Sequence, residues 1–156
     1  MTRLDSSEPT LPVDGRGLSL AVVVARFNLE ITQKLLTGCL GVLEVNGAPP
    51  PRVVWVPGAF ELPVVAQRLA QTKKYDAVIV LGCVIRGETP HDRYICAETA
   101  RGVGRVALDT GVPVVFGVLT TLDATQARAR SGEGPGNKGA EAAGAALEMG
   151  RLMRTL

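Results

Sequence analysis

The chain has 156 residues, 46% of them hydrophobic, which is enough for one globular domain that buries roughly 70% of its unfolded surface. The formal net charge is only +2 and aromatic residues make up 4%, so neither charge nor stacking surface favours nucleic-acid binding. A membrane protein is not indicated either, because no apolar run approaches the roughly 20 residues of a membrane span.

The first segment, 1–17, is polar, contains proline and glycine, and lacks the apolar centre of a secretion signal. We therefore expect a flexible N-terminal arm over 1–17, a single domain over 18–156 and a cytoplasmic protein. The three cysteines, Cys39, Cys83 and Cys96, are odd in number and lack the spacing of a zinc site. They are predicted to be buried free thiols, and no metal is predicted.

Hydrophobic runs that suit buried strands alternate along the rest of the chain with segments of helical periodicity. The predicted strands are 18–25, 53–56, 77–81 and 113–119. The predicted helices are approximately 30–45, 61–71, 94–110, 123–130 and 138–153. Repeated strand–helix units with short links indicate an α/β fold, in which a parallel sheet carries helices on both faces.

The third predicted strand leads through a short turn to His91, the chain's only histidine. In an open α/β sheet, ligands bind just beyond the carboxyl ends of the strands. Histidine is suited to proton transfer there, because its unperturbed pKa of about 6.5 lies near working pH. Considered alone, His91 is equally consistent with a surface histidine in a loop.

The other strand ends also carry unusual residues. The first is followed by Phe27 and Asn28, the second by the segment 57–61, and the fourth contains Phe116. Taken singly, Phe27 is more often a core ring, and Glu61 is more often a first-turn charge stabilised by the helix macrodipole. Their common position beside the histidine turn favours a pocket for a polar heterocycle with hydroxylated substituents.

Two segments are candidates for binding an anion. The turn 87–89 offers backbone N–H groups and the Thr89 hydroxyl ahead of a helix. The glycine-rich loop 131–139 is flanked by Arg130 and Lys138, although a mobile linker between helices is an equal alternative. The sequence contains neither GxxxxGK[ST] nor a GxGxxG after a strand, so a nucleoside triphosphate or NAD is not indicated.

Five ordered motifs carry a resemblance to a known family. They are ARFN (25–28), VVWVPGAFELP (53–63), KKYDAVIVLGCVIRGETPH (73–91), TGVPVVFGVLTT (110–121) and GNKGAEAAGAALEM (136–149). At this spacing, over about 18–153, the chain resembles 6,7-dimethyl-8-ribityllumazine synthases, which act in the penultimate step of riboflavin biosynthesis. The resemblance implies a three-layer α/β/α fold with a four-stranded parallel sheet, flavodoxin-like and of the lumazine synthase type.

That family joins 5-amino-6-(D-ribitylamino)uracil to 3,4-dihydroxy-2-butanone 4-phosphate, releasing phosphate and water, and needs no cofactor or metal. The resemblance implies that His91 transfers protons. On the uracil side it implies stacking by Phe27, contacts from Ala59, Phe60 and Glu61 to the ribityl side and ring substituents, and backbone contacts from Cys83, Val84 and Ile85. It also implies that Glu88, Thr89 and Arg130 hold the butanone phosphate. Three residues, Phe116, Arg130 and Lys138, would reach the pocket of a neighbouring subunit.

The same resemblance implies a homopentamer, and in many bacterial members twelve pentamers form an icosahedral shell. The loop 130–138 has the short length without insertion, so we expect the shell, although Gly134 and Pro135 could bend this loop. The chain departs from the family pattern after His91, where Asp92 and Arg93 replace an aromatic and an acidic residue. Asp92 could orient the imidazole.

The glycine-rich loop also departs from the family pattern. It lacks one of the family's lysines and contains Glu133, which lowers the positive potential near the phosphate, while Arg130 and Lys138 remain. Two alternatives stay open. An archaeal-type riboflavin synthase would use two lumazines and no butanone phosphate, which the retained Thr89, His91 and Arg130 argue against. A catalytically silent shell protein that binds lumazine or flavin is disfavoured by the complete set of site residues.

Overall fold

Four parallel strands form one sheet in the computed structural model, which describes residues 14–156. The strands are β1 (Leu20–Ala25), β2 (Arg52–Val56), β3 (Ala77–Ile85) and β4 (Val114–Thr121). Their spatial order is β2-β1-β3-β4, so the chain moves to one side of β1 with β2 and returns to its other side with β3. This reversal opens a crevice at the carboxyl ends of β1 and β3, where open α/β sheets bind their ligands.

Five helices accompany the sheet in the described part of the chain. They are α1 (Leu29–Val45), α2 (Leu62–Gln71), α3 (His91–Thr110), α4 (Ala124–Ala129) and α5 (Lys138–Met153), and a 3-10 turn at Ala59–Glu61 precedes α2. Buried side chains of α1 and α5 pack against one face of the sheet, and those of α2 and α3 against the other. The predicted three-layer, flavodoxin-like α/β fold is confirmed.

Strand β1 shows why its sequence is apolar without alternation. Leu20, Val22 and Val24 point into the core on the α1 and α5 side, whereas Ala21 and Val23 point into the core on the other side. Every residue of the strand is buried. A parallel strand that is covered on both faces needs apolar residues at every position, which produces the continuous run.

Two element boundaries differ from the predictions and both affect the site. Strand β3 extends to Ile85 instead of ending at 81, because β4 pairs with it as far as Thr121. Helix α3 begins at His91, three residues before its predicted start at 94, with Pro90 at its N-cap position. His91 is therefore the first residue of a helix instead of a turn residue.

Helices α1 and α5 approach each other closely at two glycines. A Cβ atom at Gly139 would collide with the Leu35 carbonyl oxygen, and one at Gly38 would collide with the Asn137 side chain. Glycine at 139 therefore permits the contact with the α1 backbone, and glycine at 38 leaves room for the Asn137 side chain. The loop before α5 is thereby held directly against α1.

The start of the described chain is tied to helix α5. Arg151 donates hydrogen bonds to the carbonyls of Asp14 and Arg16, and Arg154 donates one to the carbonyl of Gly17. The last four residues of the predicted arm are thus attached to the domain, and 1–13 lie outside the described residues. Within residues 14–156, no helix is both long and apolar enough to cross a membrane.

The cysteines follow the prediction at two of three positions. Cys39 and Cys83 are buried and free, whereas Cys96 on α3 is partly exposed. The expectation that all three would be buried is wrong for Cys96, because the buried residues of α3 are Thr99, Val103 and Val106, and residues 14–156 leave most of the other positions on this helix exposed.

Candidate active site

A cavity of about 390 Å³ opens at the carboxyl ends of the strands. Nine of the residues singled out from the sequence line it, namely Phe27, Ala59, Phe60, Glu61, Cys83, Val84, Ile85, Thr89 and His91. They come from the ends of β1, β2 and β3, which lie far apart in sequence and side by side in the sheet. The sheet order therefore brings together most of the predicted site.

The three phenylalanines of the chain are all exposed, although this residue type is usually buried. Phe27 is 71% exposed, Phe60 57% and Phe116 42%. The alternative that Phe27 is a core ring is thus wrong. Phe27 and Phe60 line the cavity, so a planar ligand could cover apolar surface that the single chain leaves in water.

Backbone hydrogen bonds hold Phe27 in place at the end of β1. The amide of Arg26 donates to the Val56 carbonyl at 2.8 Å, and the amide of Phe27 donates to the Pro57 carbonyl at 3.0 Å. Asn28 then adopts a left-handed conformation, with φ 62° and ψ 51°, and starts α1. The exits of β1 and β2 are fixed to each other before either chain segment turns into its helix.

The turn after β2 presents Glu61. The Glu61 amide donates to the Gly58 carbonyl at 3.2 Å, and the buried Thr99 hydroxyl of α3 donates to the Ala59 carbonyl at 3.3 Å. A Cβ atom at Gly58 would lie 3.3 Å from Glu61 Oε2, so the glycine leaves room for this carboxylate. A half-buried carboxylate at the cavity wall can accept hydrogen bonds from ligand hydroxyl and amine groups.

The end of β3 forms the opposite wall, mainly with backbone and apolar groups. Burial raises the pKa of the Cys83 thiol to about 11, so this sulfur is protonated and not nucleophilic near neutral pH. The Cys83 carbonyl accepts a hydrogen bond from the Asn28 side-chain amide at 2.9 Å. Val84 and Ile85 are half-buried and continue the wall.

A smaller hollow of about 190 Å³ adjoins the cavity at the turn before α3. Gly87, Thr89 and Asp92 border both spaces, whereas Glu88 lines only the smaller one together with Arg86 and Arg93. Asp92 is half-buried and follows His91 directly on the first turn of α3. The departure from the family pattern at Asp92 therefore introduces a carboxylate beside the proton-transfer candidate.

The remaining predicted residues lie elsewhere. Phe116, Arg130 and Lys138 line a separate concavity of about 860 Å³ between β4 and α5, and none of them borders the strand-end cavity of the same chain. Lys138 forms an ion pair with Glu141 at 2.8 Å, and the Arg130 guanidinium donates to the Gln126 carbonyl at 3.0 Å. The predicted site is thus divided into two groups within one chain.

Asn137 anchors the glycine-rich loop beside the second group. Its side-chain amide donates to the carbonyls of Lys34, Ser131 and Gly132 at 3.0–3.1 Å, and its Oδ1 accepts from the Ala140 amide at 3.0 Å. The Lys138 amide also donates to the Arg130 carbonyl at 2.8 Å. The two cations are therefore attached to α1 through one buried asparagine. Sequence reasoning missed Asn137, although an asparagine before a helical run is a known N-cap signal.

The three-layer fold and the cavity at the point where the strand order reverses define a class of protein. This class comprises the α/β proteins that bind small molecules at the carboxyl ends of parallel strands. The particular family follows from comparison with known proteins. The model of the 6,7-dimethyl-8-ribityllumazine synthase family matches residues 17–154, nearly the whole chain. The chain belongs to this family of riboflavin-biosynthesis enzymes, and the resemblance carried by the sequence motifs is confirmed.

Proposed function

We propose that the protein condenses 5-amino-6-(D-ribitylamino)uracil with 3,4-dihydroxy-2-butanone 4-phosphate to give 6,7-dimethyl-8-ribityllumazine, phosphate and water. One observation carries the proposal. In a chain that matches the family model over 17–154, an exposed ring, a carboxylate, a backbone wall and the only histidine meet around one cavity. Each of these groups corresponds to a requirement of the two substrates.

The uracil substrate is a flat ring with a hydroxylated chain. Phe27 offers an exposed aromatic face for stacking, and the segment Cys83–Ile85 offers backbone groups for the edge of the ring. Glu61 accepts hydrogen bonds from the ribityl chain, with Ala59 and Phe60 beside it. Most of the ring contact is therefore apolar, and a few polar groups set its orientation.

The reaction needs proton transfers at changing positions more than it needs a strong nucleophile. The 5-amino group of the uracil adds to the butanone carbonyl and one water leaves, phosphate is then eliminated, and tautomerisation of the resulting enol gives a new carbonyl. The ribitylamino nitrogen adds to that carbonyl and closes the ring with the loss of a second water. His91 borders the cavity and can give and take these protons in turn. Much of the acceleration comes from holding two reactants in register, which can supply about 7–11 kcal/mol.

The phosphate end supports a site that two chains share. Among the described residues, no lysine or arginine lines the 390 Å³ cavity, and the cations nearest to the Glu88–Thr89 turn, Arg86 and Arg93, line the adjoining 190 Å³ hollow instead. Arg130 and Lys138 lie in the other concavity together with Phe116. We propose that a neighbouring chain inserts these three residues beside Thr89 and His91.

A closed ring can complete the site of every subunit in this way, and we propose a homopentamer that assembles further into a shell of twelve pentamers. Exposed apolar side chains outside the cavity, such as Val64 and Leu108, support association. The short loop between α4 and α5 supports the shell. Analytical ultracentrifugation separates the two assemblies: a single species at pentamer mass would refute the shell and leave the shared site standing.

The activity is tested by mixing the purified protein with both substrates and following lumazine fluorescence and inorganic phosphate together. We expect one phosphate released for each lumazine formed. If the two substrates give no lumazine and no phosphate, but lumazine supplied in a separate reaction is converted to riboflavin, the protein is an archaeal-type riboflavin synthase instead. Tight binding of lumazine or riboflavin without turnover would identify a catalytically silent shell protein.

A further inference from the structure

Among residues 14–156, the end of strand β3 has a strand partner on only one side. Pairing with β1 ends at Leu81, opposite Val24, whereas pairing with β4 continues to Ile85. The segment Gly82–Ile85 is therefore hydrogen-bonded to a strand only on its β4 side. On its β1 side, the Cys83 carbonyl accepts the Asn28 side-chain amide at 2.9 Å, so this side chain replaces a missing sheet hydrogen bond.

The backbone of Asn28 shows that the side chain matters. Among the non-glycine residues of the described chain, only Asn28 and Lys73 have positive φ. Glycine adopts this left-handed conformation without steric penalty, and asparagine is one of the few other residues that tolerate it. A glycine would adopt the backbone conformation that the turn from β1 into α1 needs. It could not donate a side-chain hydrogen bond to the Cys83 carbonyl, which lies 55 residues away in sequence.

Asn28 also lies next to the stacking ring. The Phe27 amide donates a hydrogen bond to the Pro57 carbonyl. The Asn28 carbonyl accepts hydrogen bonds from the amides of Ile31 and Thr32 at 3.0 and 3.1 Å, and these bonds begin α1. One residue thus joins the end of β1, the start of α1 and the free side of β3. The slot between the Phe27 ring and the β3 wall depends on this junction.

We propose that Asn28 is a positioning residue that sets the spacing between Phe27 and the Cys83–Ile85 wall, and thereby the affinity for the ribitylaminouracil. The inference rests on the proposed function, because that function places the ring in this slot. Asn28 has no described hydrogen bond to the Glu88–Thr89 turn or to Arg130. Its loss should therefore affect the uracil substrate and not the butanone phosphate.

The variant Asn28→Gly tests the proposal, because glycine also adopts a positive φ and lacks the side chain that donates to the Cys83 carbonyl. We expect the KM for the uracil substrate to rise about five- to tenfold, as for the loss of one neutral hydrogen bond, with the KM for butanone phosphate within about twofold of wild type. Asn28→Asp should raise it further, since a carboxylate oxygen would face the Cys83 carbonyl. Amide hydrogen exchange over 82–85, measured without ligand, should become faster in both variants.

Lys73→Gly is the matched control, since it removes the other positive-φ side chain, which lies between α2 and β3, away from the cavity. It should leave both KM values unchanged. An unchanged uracil KM in Asn28→Gly, an equal rise of both KM values, or unchanged exchange over 82–85 would each overturn the proposal. A wild-type protein without turnover would contradict the proposed function instead, and the exchange measurement would still decide whether Asn28 holds β3.

Discussion

The strand-end cavity and the concavity beside α5 are built in different ways. The cavity is framed by backbone hydrogen bonds between strand exits, and its walls are largely apolar, with Phe27 and Cys83–Ile85 on two sides. The concavity carries charge on a glycine-rich loop that one buried asparagine holds against α1. The first arrangement suits the placement of a flat ring. The second places Arg130 and Lys138 beside Glu141 and Glu148, so its charges are mixed and it offers an anion mainly the Arg130 guanidinium, because Lys138 is paired with Glu141. In one chain these two tasks are kept apart.

The largest expected effect of a single substitution concerns the cavity. If His91 only transfers protons, His91→Ala should slow turnover by a factor of about 10² or less, since the positioning of both reactants survives. Single-turnover fluorescence measures the rate, and substrate titration measures binding. Full activity would remove His91 from the site, whereas complete loss with intact binding would give it a more central role than proton transfer.

The corresponding change in the concavity is Arg130→Ala. A charge-assisted contact to phosphate contributes roughly 1.5–3 kcal/mol, so kcat/KM for butanone phosphate should fall about ten- to a hundredfold. The KM for the uracil substrate should change little. Arg128→Ala is the control, because Arg128 is exposed and pairs with Glu30 at 3.3 Å instead of lining the concavity. Equal effects of the two variants would remove Arg130 from phosphate binding.

A smaller effect, on stability, is expected for a substitution of Asn137, which anchors the glycine-rich loop. Asn137→Asp keeps the oxygen that caps α5 but places a carboxylate among three carbonyls, so the free energy of unfolding should fall by about 2 kcal/mol. Urea unfolding measures the difference. Asn46→Ala serves for comparison, because the Asn46 side chain donates one bond, to the Val42 carbonyl, and its loss should cost about 1 kcal/mol or less. A milder effect at Asn137 than at Asn46 would show that the loop is not anchored there.

The smallest expected effect lies away from both regions, at Asp76. Burial raises the pKa of Asp76, but hydrogen bonds from Arg154 and the Ser19 amide, with the charges of Arg154 and Arg151, outweigh burial and lower it. Because the folded pKa is the lower one, the carboxylate stabilises the fold above the unfolded pKa of about 3.9, and this contribution is lost as pH falls through the folded value.

Asp76→Asn should therefore reduce the free energy of unfolding by about 1–2 kcal/mol at neutral pH, and the difference from wild type should shrink as the pH falls below the unfolded pKa of about 3.9. Urea unfolding at several pH values checks this. A difference that does not depend on pH would contradict the account of the Asp76 charge. Activity should stay unchanged, which separates stability of the domain from both halves of the site.

The sequence predicted the elements and most of the cavity for one physical reason. Parallel strands covered on both faces need continuous apolar runs, so their ends can be located, and their ends are where ligands bind. The extension of β3 to Ile85 was missed because it depends on pairing with β4, which the local pattern does not reveal. The anchoring roles of Asn28 and Asn137 were missed because key partners, Cys83 and Lys34, lie 55 and 103 residues away.

The division of the predicted site into two regions could not be read from the sequence either. Arg130 and Lys138 flank one loop, and nothing in their spacing shows whether they face the cavity of their own chain. The structure puts them, with Phe116, in another concavity. Insertion of these three residues into the cavity of a neighbouring chain is therefore the claim that most needs a test.

Mixing two impaired variants tests that claim most directly. His91→Ala and Arg130→Ala subunits, unfolded together and reassembled, form interfaces that pair an intact His91 of one chain with an intact Arg130 of the next. If the two regions meet across subunits, lumazine formation by the mixture should rise well above that of either variant reassembled alone. Activity no higher than the average of the two parents, in a mixture shown to contain both chains in one assembly, would contradict the shared site.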